Sequence, residues 1–238
     1  MSDIVIPELI LNSNPRIDLW TIGQEGQALV VVDNVLSNPE VLVEYATKAS
    51  FDAPPPKSMY PGLVAPLPAA YLDLMTGILR GPLVRAFGLH PDFRIPAYGF
   101  LGLTTVATEA MPARQAAPHT DAHRLNSFAT VHFFSQGDFG GTAFYRHKAT
   151  GYELVTPAHS GRFTALRRRE LEPEDGSPVP ALADLYEEIH YVEPVFNRLI
   201  LYRAGQLHSA RLVANAHLPA SPNSGRLTAN LFFNTQGL

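Results

Sequence analysis

The sequence contains no cysteine, which excludes disulfides, thiolate metal sites and a cysteine nucleophile. Charge is also scarce: only 17% of the 238 residues are Asp, Glu, Lys or Arg, and the formal net charge is -4. That balance exerts no long-range pull on polyanions, so neither nucleic acid nor an anionic membrane surface is expected as a partner. No stretch approaches the roughly 18 apolar residues of a membrane span. Residues 1–5 lack the basic start and apolar run of a signal peptide. A cytoplasmic location is the expectation. What the chain does have is 46% hydrophobic residues, enough for a substantial buried core, and neither an internal repeat nor a dividing linker. One domain over 1–238 is expected, with helical support and an N-terminal strand in 1–93 and a β core in 94–238.

The first stretch that reads as an element is a β-branched run, 28–33, closed by Asp33-Asn34, which predicts a buried strand. Ser37 or Asn38 as cap, Pro39 at the first helical position and Val41, Leu42, Tyr45 and Ala46 on one face predict a helix through Lys48. Six prolines between positions 51 and 68 predict an ordered loop or lid, to which Trp20 is a candidate contributor. Residues 72–87 have helical spacing, with a break expected at Gly81-Pro82. Short apolar or alternating runs then predict strands over 98–107, 127–135, 142–147, 161–166, 199–203, 206–213 and 227–234. A charged passage, 167–180, reads as a solvent loop, and a short helix is expected near 182–189. Helices first and many short strands afterwards suggest a mainly β sandwich or barrel with helices buttressing one face.

Within this pattern lies Pro118-His119-Thr120-Asp121. In extended chain, residues two apart share a face, so His119 and Asp121 can grip one ion. With nine histidines in the chain, the pair alone is weak and needs a third ligand from a distant strand. His208, just past the Ala204-Gly205 turn, is the candidate. Two histidines and one carboxylate on one face of an octahedron suit a non-haem Fe(II) that must also bind a co-substrate and oxygen. Catalytic zinc accepts the same set, so the ligands alone leave the metal open. His123 completes His119-x-Asp121-x-His123 on the same strand, but three ligands from one short strand leave little room to wrap an octahedron, and His208 is preferred. Arg226 opens the last long strand, where a guanidinium can pair with the far carboxylate of a dicarboxylic acid.

In this order, Pro118-His119-Thr120-Asp121, Gly140-Gly141-Thr142-Ala143-Phe144, Leu207-His208-Ser209 and Gly225-Arg226-Leu227-Thr228 resemble the Fe(II)/2-oxoglutarate-dependent dioxygenase superfamily, most closely its prolyl 4-hydroxylase-like branch. The resemblance covers about residues 95–235. It implies a double-stranded β-helix, the cupin-like jelly roll, with supporting helices. It further implies Fe(II) held by His119, Asp121 and His208, 2-oxoglutarate and O2 as co-substrates, and a basic anchor for 2-oxoglutarate at Arg226, with His132 as a second anchor and Thr228 beside it. The chain departs from the branch in the longer gap between His208 and Arg226. The implied reaction is hydroxylation of a C–H bond in a small molecule, amino acid or peptidyl residue, with release of succinate and CO2. Desaturation or ring formation would use the same ligands. A cupin-like metal enzyme that does not use 2-oxoglutarate and a catalytically silent jelly-roll binding protein are the alternatives. Gln115 and Asn230 are candidates to orient ligands, and Tyr145-Arg146-His147-Lys148 is a candidate to meet substrate.

Overall fold

The computed structural model describes residues 8–56, 58–94 and 96–237. Its first part comprises β1 (Arg16–Ile22), β2 (Gln27–Asp33), α1 (Glu40–Lys48), β3 (Gly62–Pro66), α2 (Ala69–Phe87), β4 (Phe93–Arg94) and β5 (Ala97–Thr104). A 3-10 turn, Thr108–Ala110, and α3 (Ala113–Ala116) lead to β6 (Ser127–Phe133), β7 (Thr142–His147), α4 (Pro157–Leu171) and α5 (Leu182–Leu185). The chain then closes through β8 (Tyr186–Val192), β9 (Leu199–Arg203), β10 (His208–Ala210), β11 (Arg226–Asn234) and β12 (Gln236–Gly237). Among the described residues, no helix is long and apolar enough to cross a membrane.

Seven strands form one antiparallel sheet in the order β1-β2-β9-β6-β11-β5-β3, and three form a second in the order β10-β7-β8. An antiparallel bridge between His119 and His208 adds the His119 segment to the other edge of β10. The fold is mainly β, a jelly roll of two facing sheets with helices on one side.

Strand alternation explains why the large sheet has two different faces. On β11, Leu227, Ala229, Leu231 and Phe233 enter a core with Leu42 of α1 and Tyr71, Met75, Leu79 and Leu83 of α2. These α2 side chains are at most 1% exposed, and burying each contributes about 1.5–3 kcal/mol. The alternate residues, Arg226, Thr228, Asn230 and Phe232, turn toward the smaller sheet. Between the sheets Val31, Phe133, Phe144, Ile200 and Tyr202 form a second core that closes one end of the sandwich. The other end opens as a cavity.

Most predicted strands from 98 onward match, but several expectations are corrected. Trp20 is no lid. It lies in β1 opposite Leu29 and meets the His190 ring edge-on at 5.1 Å. The proline-rich segment contains β3, an edge strand on β5, and edges are where proline is tolerated. α2 does not break at Gly81-Pro82; it runs on to Gly88, whose φ of 66° caps it. The burial of Leu79, Leu83 and Phe87 around Pro82 outweighs one missing backbone bond. Residues 161–166 are helical, inside α4, and the predicted loop at 167–180 begins as the end of that helix. Pro157 starts α4, while Phe163 and Leu171, eight positions apart, bury one stripe. The helix expected near 182–189 stops at Leu185, and β8 takes over. Neither Ser37 nor Asn38 caps α1. The Asn38 side chain instead ties Ile10 N–H and Glu8 C=O to the turn.

Candidate metal and 2-oxoglutarate site

His119 and His208 are brought side by side because the His119 segment pairs with β10, each residue donating its N–H to the other's carbonyl at 2.9 and 3.0 Å. Their rings lie 4.5 Å apart between centroids. Asp121 follows at the turn, its own N–H held by Ala204 C=O at 2.8 Å. The carboxylate reaches both rings: Oδ1 is 3.8 Å from His119 Nε2, and Oδ2 is 3.4 Å from His208 Nε2. One donor atom from each residue falls within 4.8 Å of the others. Donors 2.0–2.2 Å from one ion sit about 3–4 Å apart, so the set closes on a metal through side-chain shifts of about 1 Å.

The protonation pattern suits a cation. His208 Nδ1 lies 2.9 Å from Gln206 C=O. Since a carbonyl only accepts, Nδ1 carries a proton, and Nε2 is the ring atom turned toward Asp121 and the metal position. Burial, the neighbouring His208 and Arg167 hold His119 well below its ordinary pKa, so it is a neutral, ligand-ready imidazole. Burial raises the Asp121 carboxyl while His208 works against that rise. His123 is not part of this cluster; its Nε2 meets Thr120 Oγ1 at 3.0 Å.

The three donors open on a cavity of about 590 Å³ that also reaches Arg226. Arg226 is 4% exposed. Its Nε donates to Gly140 C=O at 3.1 Å, Nη1 to Thr104 Oγ1 at 3.1 Å and Nη2 to Gly141 C=O at 3.3 Å. These bonds use three of the five guanidinium N–H groups, leaving one on each Nη. Burial lowers its pKa, and the titratable groups that act against this are the phenols of Tyr60 and Tyr191. Among the described residues, no carboxylate forms an ion pair with it. A buried cation without an anion is costly, and a free N–H on each Nη is what a carboxylate can take up.

The wall between metal donors and guanidinium comes from paired rows on β11 and β5, Arg226 opposite Thr104, Thr228 opposite Gly102, Asn230 opposite Phe100 and Phe232 opposite Tyr98. Tyr60, from the proline-rich segment, covers Gly102 and meets Thr104 Oγ1 at 3.1 Å. Burial raises its pKa and Arg226 opposes that rise, so Tyr60 is a neutral hydroxyl at this wall. Tyr202, packed edge-on to His208 at 4.8 Å, closes the side near the metal donors.

Other sequence candidates fall elsewhere. His132 is corrected as an anchor: it points to the opposite face of the large sheet, fully buried against α2. Its Nε2 donates to Asn197 Oδ1 at 3.2 Å and its Nδ1 accepts from Tyr71 hydroxyl at 2.9 Å. Alternation decides this, since Val131 and Phe133 take the inner face. Thr228 is on the inner face, but its hydroxyl accepts from Asn230 Nδ2 at 3.0 Å and lies beneath Tyr60. Gln115 and Asn230 both line the cavity, Gln115 tethered to Met59 C=O at 3.2 Å. Tyr145 to Lys148 do not meet the cavity: Arg146 pairs with Glu153 and Glu187, buried His147 meets Glu170 at 2.8 Å, and Lys148 bonds Ala183 C=O at 2.6 Å. Sequence reasoning missed Tyr60, Thr104 and Arg167. The signal available for Tyr60 was Gly102, a glycine inside a strand, which often marks a close approach.

Among solved structures, the chain is similar to HygX from Streptomyces hygroscopicus, determined with nickel, 2-oxoglutarate and hygromycin B bound, with 11% identity, 88% of this chain and 84% of that chain covered, and a TM-score of 0.50. It is also similar to an N-substituted L-amino acid dioxygenase from Burkholderia ambifaria, at 12% identity, 94% and 98% coverage and a TM-score of 0.40. At these identities the HygX likeness establishes the jelly-roll fold. No curated protein matches the sequence. Residues 13–233 match the family described as "Family of unknown function (DUF6445)", and the chain belongs to that family.

Proposed function

We propose that the chain is a non-haem Fe(II)/2-oxoglutarate-dependent oxygenase that hydroxylates an unactivated C–H bond of a small molecule, amino acid or peptidyl residue. The observation that carries this reading is the buried Arg226, free of any carboxylate partner among the described residues, with two spare N–H groups on the same cavity as His119, Asp121 and His208. A dicarboxylic co-substrate that chelates the metal at one end would place its other carboxylate against such a cation.

His119, Asp121 and His208 would hold the metal from one side and leave its cavity side open. Iron bound there would supply oxygen activation coupled to decarboxylation of 2-oxoglutarate, yielding succinate, CO2 and an oxidised substrate. The chain's own part is positional. Arg226 binds the distal carboxylate of 2-oxoglutarate through its free Nη hydrogens. Thr104 and the Gly140 and Gly141 carbonyls fix the guanidinium plane, and the Tyr60 hydroxyl stands next to it. Gln206 C=O keeps the His208 proton on Nδ1, so Nε2 remains a ligand. Phe144 and Tyr202, both buried against His208, exclude water behind the metal donors. The sequence resemblance favours the prolyl 4-hydroxylase-like branch and hydroxylation. In this reading the protein acts in the cytoplasm, on a small molecule or peptide and not on nucleic acid or membrane.

The test adds Fe(II) and 2-oxoglutarate to the protein without oxygen and records the visible metal-to-ligand charge-transfer band of the chelate. A band that is lost in Arg226→Met and in His208→Ala supports the reading. Wild-type protein that binds iron but gives no band overturns it in favour of a metal enzyme independent of 2-oxoglutarate. A band without succinate on admitting oxygen marks a silent binding protein.

A further inference from the structure

A second arginine, Arg167, faces the same cavity and is not engaged by the proposed co-substrate. It extends from α4, where it lines both the main cavity and a smaller one of about 370 Å³ across His119, Thr120 and Asp121. Three arginines lie in this region, and their partners differ. Arg114 pairs with Glu172 at 2.9 Å and Arg168 with Glu174 at 3.0 Å. Arg167 has no carboxylate partner among the described residues. Its Nε donates to Pro118 C=O at 3.3 Å and one Nη2 hydrogen to Arg114 C=O at 3.0 Å, and the Tyr186 hydroxyl lies beside it as a further acceptor, so at least two of its five N–H groups remain available. Arg167 borders the His119 segment through Pro118 and lines both cavities, whereas Arg226 lines only the larger one, held against Thr104 on β5. The two unpaired cations therefore serve different parts of the cavity, Arg226 at the far wall and Arg167 beside the metal donors.

Along the β11 and β5 wall of the cavity the lining changes from polar to aromatic. From Arg226 to Phe232 along β11 is six residues, about 20 Å of strand, and the row ends in a shelf. Tyr98 stacks on Phe232 at 5.6 Å, Phe232 lies 6.0 Å from Phe100, and Phe100 meets Tyr60 edge-on at 5.3 Å. Tyr98 is 64% exposed, so the end of the stack is open. An aromatic shelf with an open end offers a face to a flat or apolar body.

We propose that the substrate is an organic acid with an apolar, ring-bearing body, its carboxylate held by Arg167 and its body laid on the shelf of Tyr98, Phe100 and Phe232. This deepens the oxygenase reading of the same cavity and rests on it for the reaction, although the binding preference stands by itself. An acid held at Arg167 places its nearest C–H bonds beside His119 and Asp121, while 2-oxoglutarate at Arg226 occupies the opposite side.

The experiment measures binding by calorimetry for a small panel of acids, 3-phenylpropionate, N-benzoylglycine and indole-3-acetate, each against its uncharged amide. Titrations use protein loaded with Fe(II) and saturating 2-oxoglutarate under nitrogen, and metal-free Arg226→Met protein, in which the other cation is gone. The expected result is an acid bound at least ten-fold more tightly than its amide in both preparations. That preference should vanish in Arg167→Gln, return in part in Arg167→Lys, and survive Tyr98→Ala, which weakens acid and amide alike. The proposal is overturned if no acid of the panel binds, if acids and amides bind equally, or if the preference follows Arg226 instead. It also fails if Arg167→Gln and Arg167→Lys both lose the iron chelate band, since Arg167 would then only brace the His119 segment. Loss of the oxygenase reading is seen separately, as absence of that band in wild type, whereas the acid preference of Arg226→Met protein reports on Arg167 alone.

Discussion

The phenol of Tyr60 lies directly across Gly102, so near that a Cβ at position 102 would come within 2.3 Å of the Tyr60 hydroxyl oxygen and 2.4 Å of its ring. The missing side chain on β5 is what lets a residue from the proline-rich segment reach Thr104 and stand beside Arg226. Gly102→Ala should therefore push Tyr60 outward and disturb the anchor without touching the metal donors. The expected outcome is 2-oxoglutarate affinity lowered about ten-fold, in line with the 1–3 kcal/mol typical of overpacking, with iron content unchanged. Titrating the chelate band with 2-oxoglutarate, alongside metal analysis, checks both halves. Tyr60→Phe, which keeps the ring and removes the hydroxyl, should cost less.

Arg226 makes a contrasting prediction for stability and binding. Its guanidinium is buried among neutral donors and acceptors, so the ligand-free protein carries an uncompensated charge. Arg226→Met removes that charge at similar length. The ligand-free variant should melt no lower than wild type, yet 2-oxoglutarate should no longer raise its Tm. In wild type, ligand at about one hundred times Kd contributes about 2.7 kcal/mol. A variant still stabilised as strongly by 2-oxoglutarate would remove Arg226 from the anchor role.

The two candidate third ligands separate cleanly by substitution. His208→Ala removes a donor that faces Asp121 at 3.4 Å, whereas His123→Ala removes a ring hydrogen-bonded to Thr120. Iron bound after anaerobic loading and desalting should fall to background in the first and stay near one ion per chain in the second. The opposite pattern would make His123 the ligand.

These contrasts follow from which physical signals a sequence carries. β6, β7, β9 and β11 have strongly apolar faces, and their spacing alone predicts them. β1 and β8 do not: β1 leaves Ile17 and Leu19 exposed at a sheet edge, and β8 carries Glu187, Glu188 and His190. Edge strands owe their form to one neighbour's backbone, which has no local signature. α4 buries only Phe163 and Leu171 in 15 residues, so its apolar run was indistinguishable from a strand. Arg167 therefore carries no sequence signal for facing a cavity, since only the helix turns it there. The His119, Asp121 and His208 grouping was legible because a short motif and a turn-flanked histidine locate it. Tyr60 and Thr104 were not, because their meeting with Arg226 depends on the pairing register of β5 and β11.

His132 shows the same limit from the other side, and yields a pH prediction. The sequence pattern predicts its place on β6 but not its face, and burial lowers its pKa to about 3 with Asn197 opposing the shift. In the unfolded chain the ring has its ordinary pKa near 6.5. Between those values the unfolded state binds a proton that the folded state refuses. The neutral ring thus contributes its stability in full above about pH 6.5, and that stability is lost as pH falls toward 3, at about 1.4 kcal/mol per pH unit. His132→Gln keeps a group able to bond Tyr71 and Asn197 but cannot titrate. Urea unfolding at pH 6.5, 5.5 and 4.5 should show the variant losing about 1.4 kcal/mol less per pH unit than wild type, even if it starts from a lower value. Parallel slopes would mean that protonated His132 is accommodated in the folded state, and that the hydrogen bonds from Tyr71 and to Asn197 do not hold it neutral.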